Sequence, residues 1–259
     1  MNSYGARSNA AVPLVALASC FLVACFLAAC ASGPRLKHKH EFTLSPGQEH
    51  HAGLVRVLLI PIDATNDKPV RGLDVENPRI NAMIVRHLES KGITVEQVDG
   101  RKFRELSNSA VRKVRTQRKS GASGVVSADV EFGDIVPELL AGLDKSPDLV
   151  VAPNLLMRSA EYQGTRTIVW DGVRRRETVS DWSMSGSDIP VASLHVSVYA
   201  KDGTRVFSGF GGFEPVFRID TVKKKYIQRE DLFQDERNLK EGTCIAFYPY
   251  FGMDEYCTR

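Results

Sequence analysis

The sequence predicts an α+β fold: a mixed sheet with a βαβ unit, helices packed on one face, and antiparallel hairpins toward the C-terminus. Three observations indicate it. Residues 54–98 read as strand, helix and strand in succession. Helix-prone segments lie mostly before Pro147, whereas alternating apolar segments follow it. The dipeptides Asp171-Gly172 and Asp202-Gly203 separate pairs of these later segments, as hairpin turns do.

The βαβ unit begins with the nearly continuous apolar run Leu54–Ile62, which is typical of a strand buried on both faces. Asn77-Pro78 supplies an N-cap followed by proline at the first helical position, and Gly92 supplies the stop. Between them, one helical face carries Ile80, Ile84, His87, Leu88 and Lys91. Ile93–Val98 alternates as the second strand, which predicts a parallel pair joined by the helix.

The middle of the chain is predicted to contain two helices and a core strand. Arg101–Lys119 is helix-prone and strongly basic, and the glycines of residues 121–124 end it. A short amphipathic helix, Ile135–Leu143, precedes Pro147. Asp148–Pro153 is apolar enough to be the next core strand.

Two antiparallel hairpins follow. The first turns at Asp171-Gly172 between strands 162–170 and 173–179, because Asp-Gly strongly favours a two-residue turn. The second turns at Lys201–Thr204 and returns through Arg205–Phe213. The glycine cluster Gly209–Gly212 closes this returning strand, where a bulge or a close backbone contact explains it better than a phosphate-binding loop.

The N-terminal residues have the pattern of a secretory signal. Arg7 precedes the apolar run Ala10–Phe26, which ends in Leu27-Ala28-Ala29-Cys30. This tetrad resembles the lipobox of bacterial lipoproteins, in which the cysteine is diacylated and becomes the new amino terminus. The resemblance implies lipidation of Cys30, and because Ala31 rather than aspartate follows, it implies the periplasmic face of the outer membrane.

Two alternatives stay open at this end of the chain. Residues 10–29 approach the length of a transmembrane helix, although no strong basic cluster follows them. A second tetrad, Leu22-Val23-Ala24-Cys25, also fits the lipobox and would place the cut five residues earlier. Cys30 is preferred because cleavage there leaves no apolar stub on the mature chain.

The cysteines and the net charge fit an exported protein. Of the five cysteines, Cys20 and Cys25 leave with the signal and Cys30 carries lipid, so Cys244 and Cys257 remain to form a disulfide. A redox or metal role would need closer spacing or added histidine ligands, so we predict a structural bridge and no metal site. Removing Arg7 with the signal lowers the formal charge from +3 to +2, which gives no indication of nucleic-acid binding.

These features divide the chain into four segments: a signal peptide (1–29), the lipidated cysteine with a flexible tether (30–52), the α+β periplasmic domain (53–218) and a C-terminal extension held by the disulfide (219–259). The tether is polar and interrupted by Gly-Pro and Pro-Gly pairs. Its histidines are predicted to be solvated rather than to bind a metal.

The layout of the folded part resembles periplasmic lipoproteins of the curli-secretion and penicillin-binding-protein-activator type, whose shared domain is similar to the amino-terminal domain of the Tol-Pal translocation protein. The similarity covers roughly residues 54–213 and rests on a tether, a long helix and three motifs: Pro61-Ile62 followed by Asp63–Asp67, the strand Asp148–Ala152, and the turn at Asp202-Gly203. The resemblance implies the same fold and a non-catalytic protein.

No catalytic or cofactor-binding motif is present in the sequence, which contains neither a phosphate-binding loop nor a dinucleotide, zinc-protease or serine-hydrolase signature. We therefore predict a non-enzymatic, lipid-anchored protein without a cofactor that binds another envelope component and assists its assembly or regulation. The alternative is an envelope hydrolase or transferase with a site assembled from scattered residues such as Asp63, His87 and His195. The oligomeric state is left open.

Clusters of positive charge are the candidate binding residues. Arg112, Lys113 and Arg115 lie on the basic helix, and Arg174, Arg175 and Arg176 lie on a hairpin strand next to Trp170. Arginine and lysine together would hold an anionic glycolipid or lipid phosphate, and tryptophan interleaved with arginine is common where another protein binds. The simpler interpretation is a solvated surface balanced by acidic neighbours, with Trp170 in the core.

Overall fold

The computed structural model describes residues 40–47, 55–62, 73, 78–121, 129–163, 167–176, 189–220, 225–253 and 257. The predicted signal peptide, Cys30 and the loop that contains Asp63 lie outside the described residues.

Ten strands and four helices occur in this part of the chain. The strands are β1 (Phe42–Leu44), β2 (Arg56–Leu59), β3 (Thr94–Gln97), β4 (Leu149–Tyr162), β5 (Thr167–Trp170), β6 (Val173–Arg176), β7 (Ile189–Ala200), β8 (Arg205–Pro215), β9 (Phe217–Asp220) and β10 (Lys225–Gln228). The helices are α1 (Pro78–Ser90), α2 (Gly100–Gly121), α3 (Phe132–Ala141) and α4 (Glu236–Phe247). Within the described ranges, no helix combines the length and apolarity needed to cross a membrane.

Eight strands form one mixed sheet. Six of them lie in the order β1-β8-β7-β4-β2-β3, and the hairpin β5–β6 pairs with the far end of β4. β2 is parallel to both β3 and β4, whereas the other strand pairs of this sheet are antiparallel. Since α1 connects the parallel strands β2 and β3, the predicted α+β class, mixed sheet and βαβ unit are confirmed. β9 and β10 form a separate antiparallel ribbon.

The end of α1 follows from its sequence. Gly92 has a φ of 75°, which glycine adopts without strain. Its N–H donates to the carbonyl of Glu89, and the N–H of Ile93 donates to that of Leu88, so the last turn of the helix is closed by a Schellman motif. Leu88 and Ile93 are both buried in the same core, which supplies the apolar contact that accompanies this motif.

The sheet is covered on both faces. Val57 and Leu59 of β2 lie in one core with residues of α1 and α4, whereas Leu58 and Ile60 lie in a second core with residues of α2 and α3. Of the predicted helices, α1 alone packs on the first face, which it shares with α4, a helix that was not predicted, and α2 and α3 form a second layer on the other face. The physical reason is the continuous apolar run of β2, because a strand apolar on both sides must be covered on both sides.

Both predicted Asp-Gly turns are present. Asp171 and Gly172 have φ values of 38° and 81°, and Trp170 pairs with Val173 across this turn. Gly203 has a φ of 86° in the turn between β7 and β8. The β5–β6 hairpin packs through its own apolar cluster, and its turn contacts β8, where the N–H of Gly212 donates to the carbonyl of Asp171.

The glycine cluster of β8 lets α4 pack directly on the strand backbone. A Cβ atom at Gly211 would lie 1.9 Å from the carbonyl oxygen of Gly242, and one at Gly209 would lie 2.5 Å from that of Ala246. On the α4 side, a Cβ at Gly242 would lie 2.4 Å from the carbonyl oxygen of Gly212. The close backbone contact predicted for Gly209–Gly212 is confirmed.

The C-terminal segment, predicted as an extension, packs into the main core of the sheet. Leu239, Ala246 and Phe247 of α4 and the following Tyr250 are buried among residues of α1 and β8. The segment is too short to form a core of its own, so its apolar side chains pack into the core of the sheet. The predicted disulfide between Cys244 and Cys257 is confirmed, with Cα atoms 5.7 Å apart.

One strand lies inside the predicted tether. Phe42–Leu44 pairs antiparallel with β8 as β1, which covers the edge of a strand whose unpaired backbone would otherwise be exposed. His40, just before it, has its Nε2 atom 3.1 Å from the carbonyl oxygen of Tyr248. The flexible segment that was predicted to reach residue 52 is therefore interrupted by an element bound to the domain.

Candidate functional site

α2 is amphipathic, and its apolar stripe faces α3 and the sheet. Phe103, Ala110 and Val114 are buried, at the spacing of residues on one helical face. They pack with residues of α3 in the second core. The opposite face of α2 is therefore turned toward solvent.

The exposed face of α2 carries a row of cations, which we call the α2 basic face. Its residues recur every three or four positions, and all of them are exposed: Arg101, Arg104, Asn108, Arg112, Arg115 and Lys119. At 1.5 Å per residue the row is about 27 Å long. It contains five cations, and the exposed Glu105 lies beside it, one turn from Arg101. This row can also be found from the sequence, because a helical projection of residues 101–119 places these six positions on one side of the helix.

The other cations of α2 are neutralised by α3. Lys113 Nζ lies 3.2 Å from Glu138 Oε2, and Arg118 Nη2 lies 2.7 Å from Asp134 Oδ2. The hydrogen bonds from Lys113 and Gln117 hold the pKa of the Glu138 carboxyl below its usual value. The predicted trio of Arg112, Lys113 and Arg115 is thus divided: Lys113 joins two helices, and the two arginines belong to the α2 basic face.

The charge of the α2 basic face is largely available to a ligand. Arg101 makes an ion pair with Glu105 one turn away, at 3.3 Å between Nε and Oε1. Arg112 and Arg115 have no ion-pair partner within the ranges that the structure covers. Guanidinium groups that are not paired with carboxylates, such as those of Arg112 and Arg115, are suited to phosphate oxygens, which accept paired N–H bonds.

The three arginines of β6 do not form one cluster, because successive strand residues point to opposite sides. Arg175 is half-buried, with Nη1 2.6 Å from Glu241 Oε2 on α4 and Nη2 donating to the carbonyl of Phe213. Arg174 and Arg176 are exposed on the other side of the strand. Arg175 therefore fixes the hairpin to α4, and a triple-arginine anion site is not formed.

Trp170 is a core residue of the hairpin. Only 6% of its surface is exposed, and it packs with Ile168, Val173 and Val191. The structure thus favours the simpler interpretation of this tryptophan over a surface for another protein.

A polar cavity of about 290 Å³ lies beside Arg158 and the β5–β6 hairpin. Arg158 Nε lies 3.0 Å from Asp171 Oδ2, and its Nη2 lies 2.9 Å from Glu41 Oε2. Ser193 also donates to Asp171 Oδ2, at 2.7 Å, and burial raises the pKa of the Asp171 carboxyl. Glu161 lines the same cavity, so its acids outnumber its arginine and it does not suit an anion.

His195 lies in the middle of the sheet, next to this network. Its ring stacks on Phe210, with 4.4 Å between centroids, and its Nε2 is 2.8 Å from Ser208 Oγ. Arg158 also contacts Phe210, with 4.4 Å from the guanidinium carbon to the ring centroid. Burial, together with the positive charges of Arg205 and Arg158, lowers the pKa of His195 to about 4.

The residues proposed for an enzyme do not meet. His87 is buried in the core shared by α1 and α4, with its ring 5.1 Å from that of Phe247. His195 alternates along β7 with Leu194 and Val196, which belong to that core, so it points to the opposite face of the sheet. Asp63 lies outside the described residues.

No family model matches the sequence. No curated protein matches it either.

Proposed function

We propose that this chain is a non-enzymatic, lipid-anchored protein of the bacterial envelope that binds another envelope component and assists its assembly or regulation. The anchor is Cys30, at the periplasmic face of the outer membrane. The α2 basic face is the observation that supports binding, because five exposed cations lie in one row and Arg112 and Arg115 have no ion-pair partner among the described residues.

The length of the row favours an array of anionic headgroups as the component bound. A single phosphate occupies one or two guanidinium groups, whereas the row extends over about 27 Å of helix. Phospholipid or glycolipid phosphates in a membrane are spaced so that several meet such a row at once. A tethered domain also stays near a lipid surface, which raises the effective concentration of these headgroups.

A non-catalytic role is supported by two features. His87 and His195 lie on opposite faces of the sheet, so they cannot act on one substrate atom. Beside the cavity, Arg158 pairs with the carboxylates of Glu41 and Asp171, so these two acids are held in an ion-pair network.

Replacing Arg112 and Arg115 by serine should weaken binding to anionic vesicles by roughly 30-fold, because each basic residue near such a surface contributes about 1 kcal/mol. Residues 31–259 without acylation contain every described element and serve as the starting protein. Co-sedimentation would be measured with phosphatidylcholine vesicles alone, with vesicles that also contain phosphatidylglycerol, and with lipopolysaccharide.

The matched control is Lys113→Ser with Arg118→Ser, which removes the same charge from the same helix but from side chains paired with α3. This control should weaken vesicle binding much less than the loss of Arg112 and Arg115, because Glu138 and Asp134 already neutralise the two side chains it removes. Added salt should weaken binding of the parent protein. Equal losses in the two double variants, or equal binding to neutral and anionic vesicles, would contradict the proposed surface.

The anchor is expected to be visible by mass spectrometry of the protein purified from the native envelope. The amino terminus should be Cys30 with acyl chains on its sulfur, and Cys30→Ser should release the protein from the membrane fraction. A terminus at Cys25 would move the anchor to the earlier tetrad. An intact leader or an unmodified thiol at both cysteines would refute lipidation.

A further inference from the structure

The disulfide lies against a histidine. His87 of α1 has its Nδ1 atom 3.6 Å from Cys244 Sγ and 3.8 Å from Cys257 Sγ. These three potential ligand atoms lie within 4.8 Å of one another. The residues come from α1, α4 and the C-terminal end, with 157 and 170 positions between the histidine and the two cysteines.

The nitrogen-to-sulfur distances match those of a zinc site. Bond lengths of about 2.3 Å for Zn–S and 2.05 Å for Zn–N, with tetrahedral angles, place nitrogen and sulfur ligands about 3.6 Å apart. Two thiolates on one zinc ion lie about 3.8 Å apart by the same geometry. In the reduced form the two sulfurs can separate by rotation of the cysteine side chains, whose Cα atoms lie 5.7 Å apart.

The surroundings suit a neutral, rigid complex. His87 is fully buried, Cys244 is 1% exposed, and the imidazole is held by stacking on Phe247. Two thiolates, one neutral imidazole and a divalent cation sum to zero charge, so the complex avoids the cost of a net charge in this apolar core. Cys257 is half-buried.

We propose that the reduced form of the chain binds a zinc-like divalent cation through His87 Nδ1 and the sulfurs of Cys244 and Cys257, and that the disulfide is the metal-free form. A dithiol reductant supplies two electrons to the S–S bond and becomes a disulfide, which leaves two protein thiols. Metal binding displaces two protons to solvent, and water fills the fourth position. Oxidation by a small-molecule disulfide reverses these steps, and the cation leaves hydrated. The site is independent of lipid binding by the α2 basic face.

The test uses the full chain in detergent, with Cys20→Ser, Cys25→Ser and Cys30→Ser so that Cys244 and Cys257 are the remaining cysteines. The protein is reduced with a phosphine, desalted under argon and titrated with Co²⁺. We expect thiolate-to-cobalt charge-transfer absorption at one equivalent, displacement of Co²⁺ by Zn²⁺, and no such absorption from the oxidised protein.

His87→Phe keeps a ring against Phe247 and removes the nitrogen ligand. It should weaken Co²⁺ binding by at least about tenfold. This is the smallest loss usually found when a residue that only supports a metal ligand is replaced, and loss of a ligand should cost at least as much. His87→Gln is a second variant, and thermal unfolding of both in the oxidised state checks that they fold. The proposal is overturned if the reduced parent protein gives no charge-transfer band, if the oxidised protein binds Co²⁺ equally, or if a folded His87 variant binds as the parent does.

Discussion

Gly211→Ala is expected to lower the free energy of unfolding by about 3 kcal/mol, at the upper end of the usual cost of overfilling a packed core. The added methyl group would lie 1.9 Å from the carbonyl oxygen of Gly242 and 2.7 Å from the backbone nitrogen of Ala246. Both atoms belong to the backbone of α4, which cannot rotate out of the way as a side chain does. Relief therefore requires α4 to move off β8, with loss of the contacts of Phe247 and Leu239. Urea unfolding followed by circular dichroism measures the change.

Gly142→Ala is the matched control. A Cβ atom there would meet Leu106 Cδ2 at 2.8 Å, which is the far end of a flexible side chain, and the backbone φ of −86° suits alanine. Its effect should stay within about 1 kcal/mol, because the leucine can change rotamer and alanine stiffens the unfolded chain. A Gly211→Ala protein as stable as the parent would show that α4 does not rest on the backbone of β8.

The elements that the sequence predicts well are those whose signals are local. Pro78 and Gly92 mark the ends of α1, and the two Asp-Gly pairs mark the hairpin turns, because these residues act on their own backbone dihedrals. β4 is predicted only as far as Pro153, yet it continues to Tyr162. Its second half mixes Asn154, Arg158 and Glu161 with apolar residues, so it lacks the apolar run that identified its first half.

The candidate sites depend on contacts between distant segments, which the sequence does not encode locally. Arg112 and Lys113 are neighbours in sequence, and only the position of α3 decides that Lys113 is paired and Arg112 is not. The sequence places His87 on the buried face of α1, and the structure confirms that burial. Its contact with the Cys244–Cys257 disulfide could not be predicted, because it requires α4 to lie in the main core rather than in a separate extension.

His195 is expected to make the protein markedly less stable in mild acid. Its pKa is lowered from 6.5 to about 4 in the folded state, chiefly by burial. Between these pH values the unfolded chain holds a proton on His195 that the folded chain does not, so stability falls as the pH falls. The loss reaches at most about 3 kcal/mol over this window, since each pH unit corresponds to about 1.4 kcal/mol. His195→Gln should remove this part of the slope, because glutamine keeps a polar group near Ser208 and does not titrate.

Unfolding free energies from urea titrations between pH 6.5 and 4 would show the effect as a difference between the parent and His195→Gln. The difference is the relevant quantity because Asp171 acts in the opposite direction and is present in both proteins. Its pKa is raised in the folded state, so the folded chain takes up a proton on Asp171 before the unfolded chain does as the pH falls, and this stabilises the folded state. Ser208→Ala removes the hydrogen-bond partner of His195 and keeps the imidazole between Arg158 and Arg205, so it should retain the slope of the parent. Parallel curves for the parent and His195→Gln would mean that His195 takes up its proton equally readily in the folded and unfolded chains, and that the charges and burial around it do not act as described.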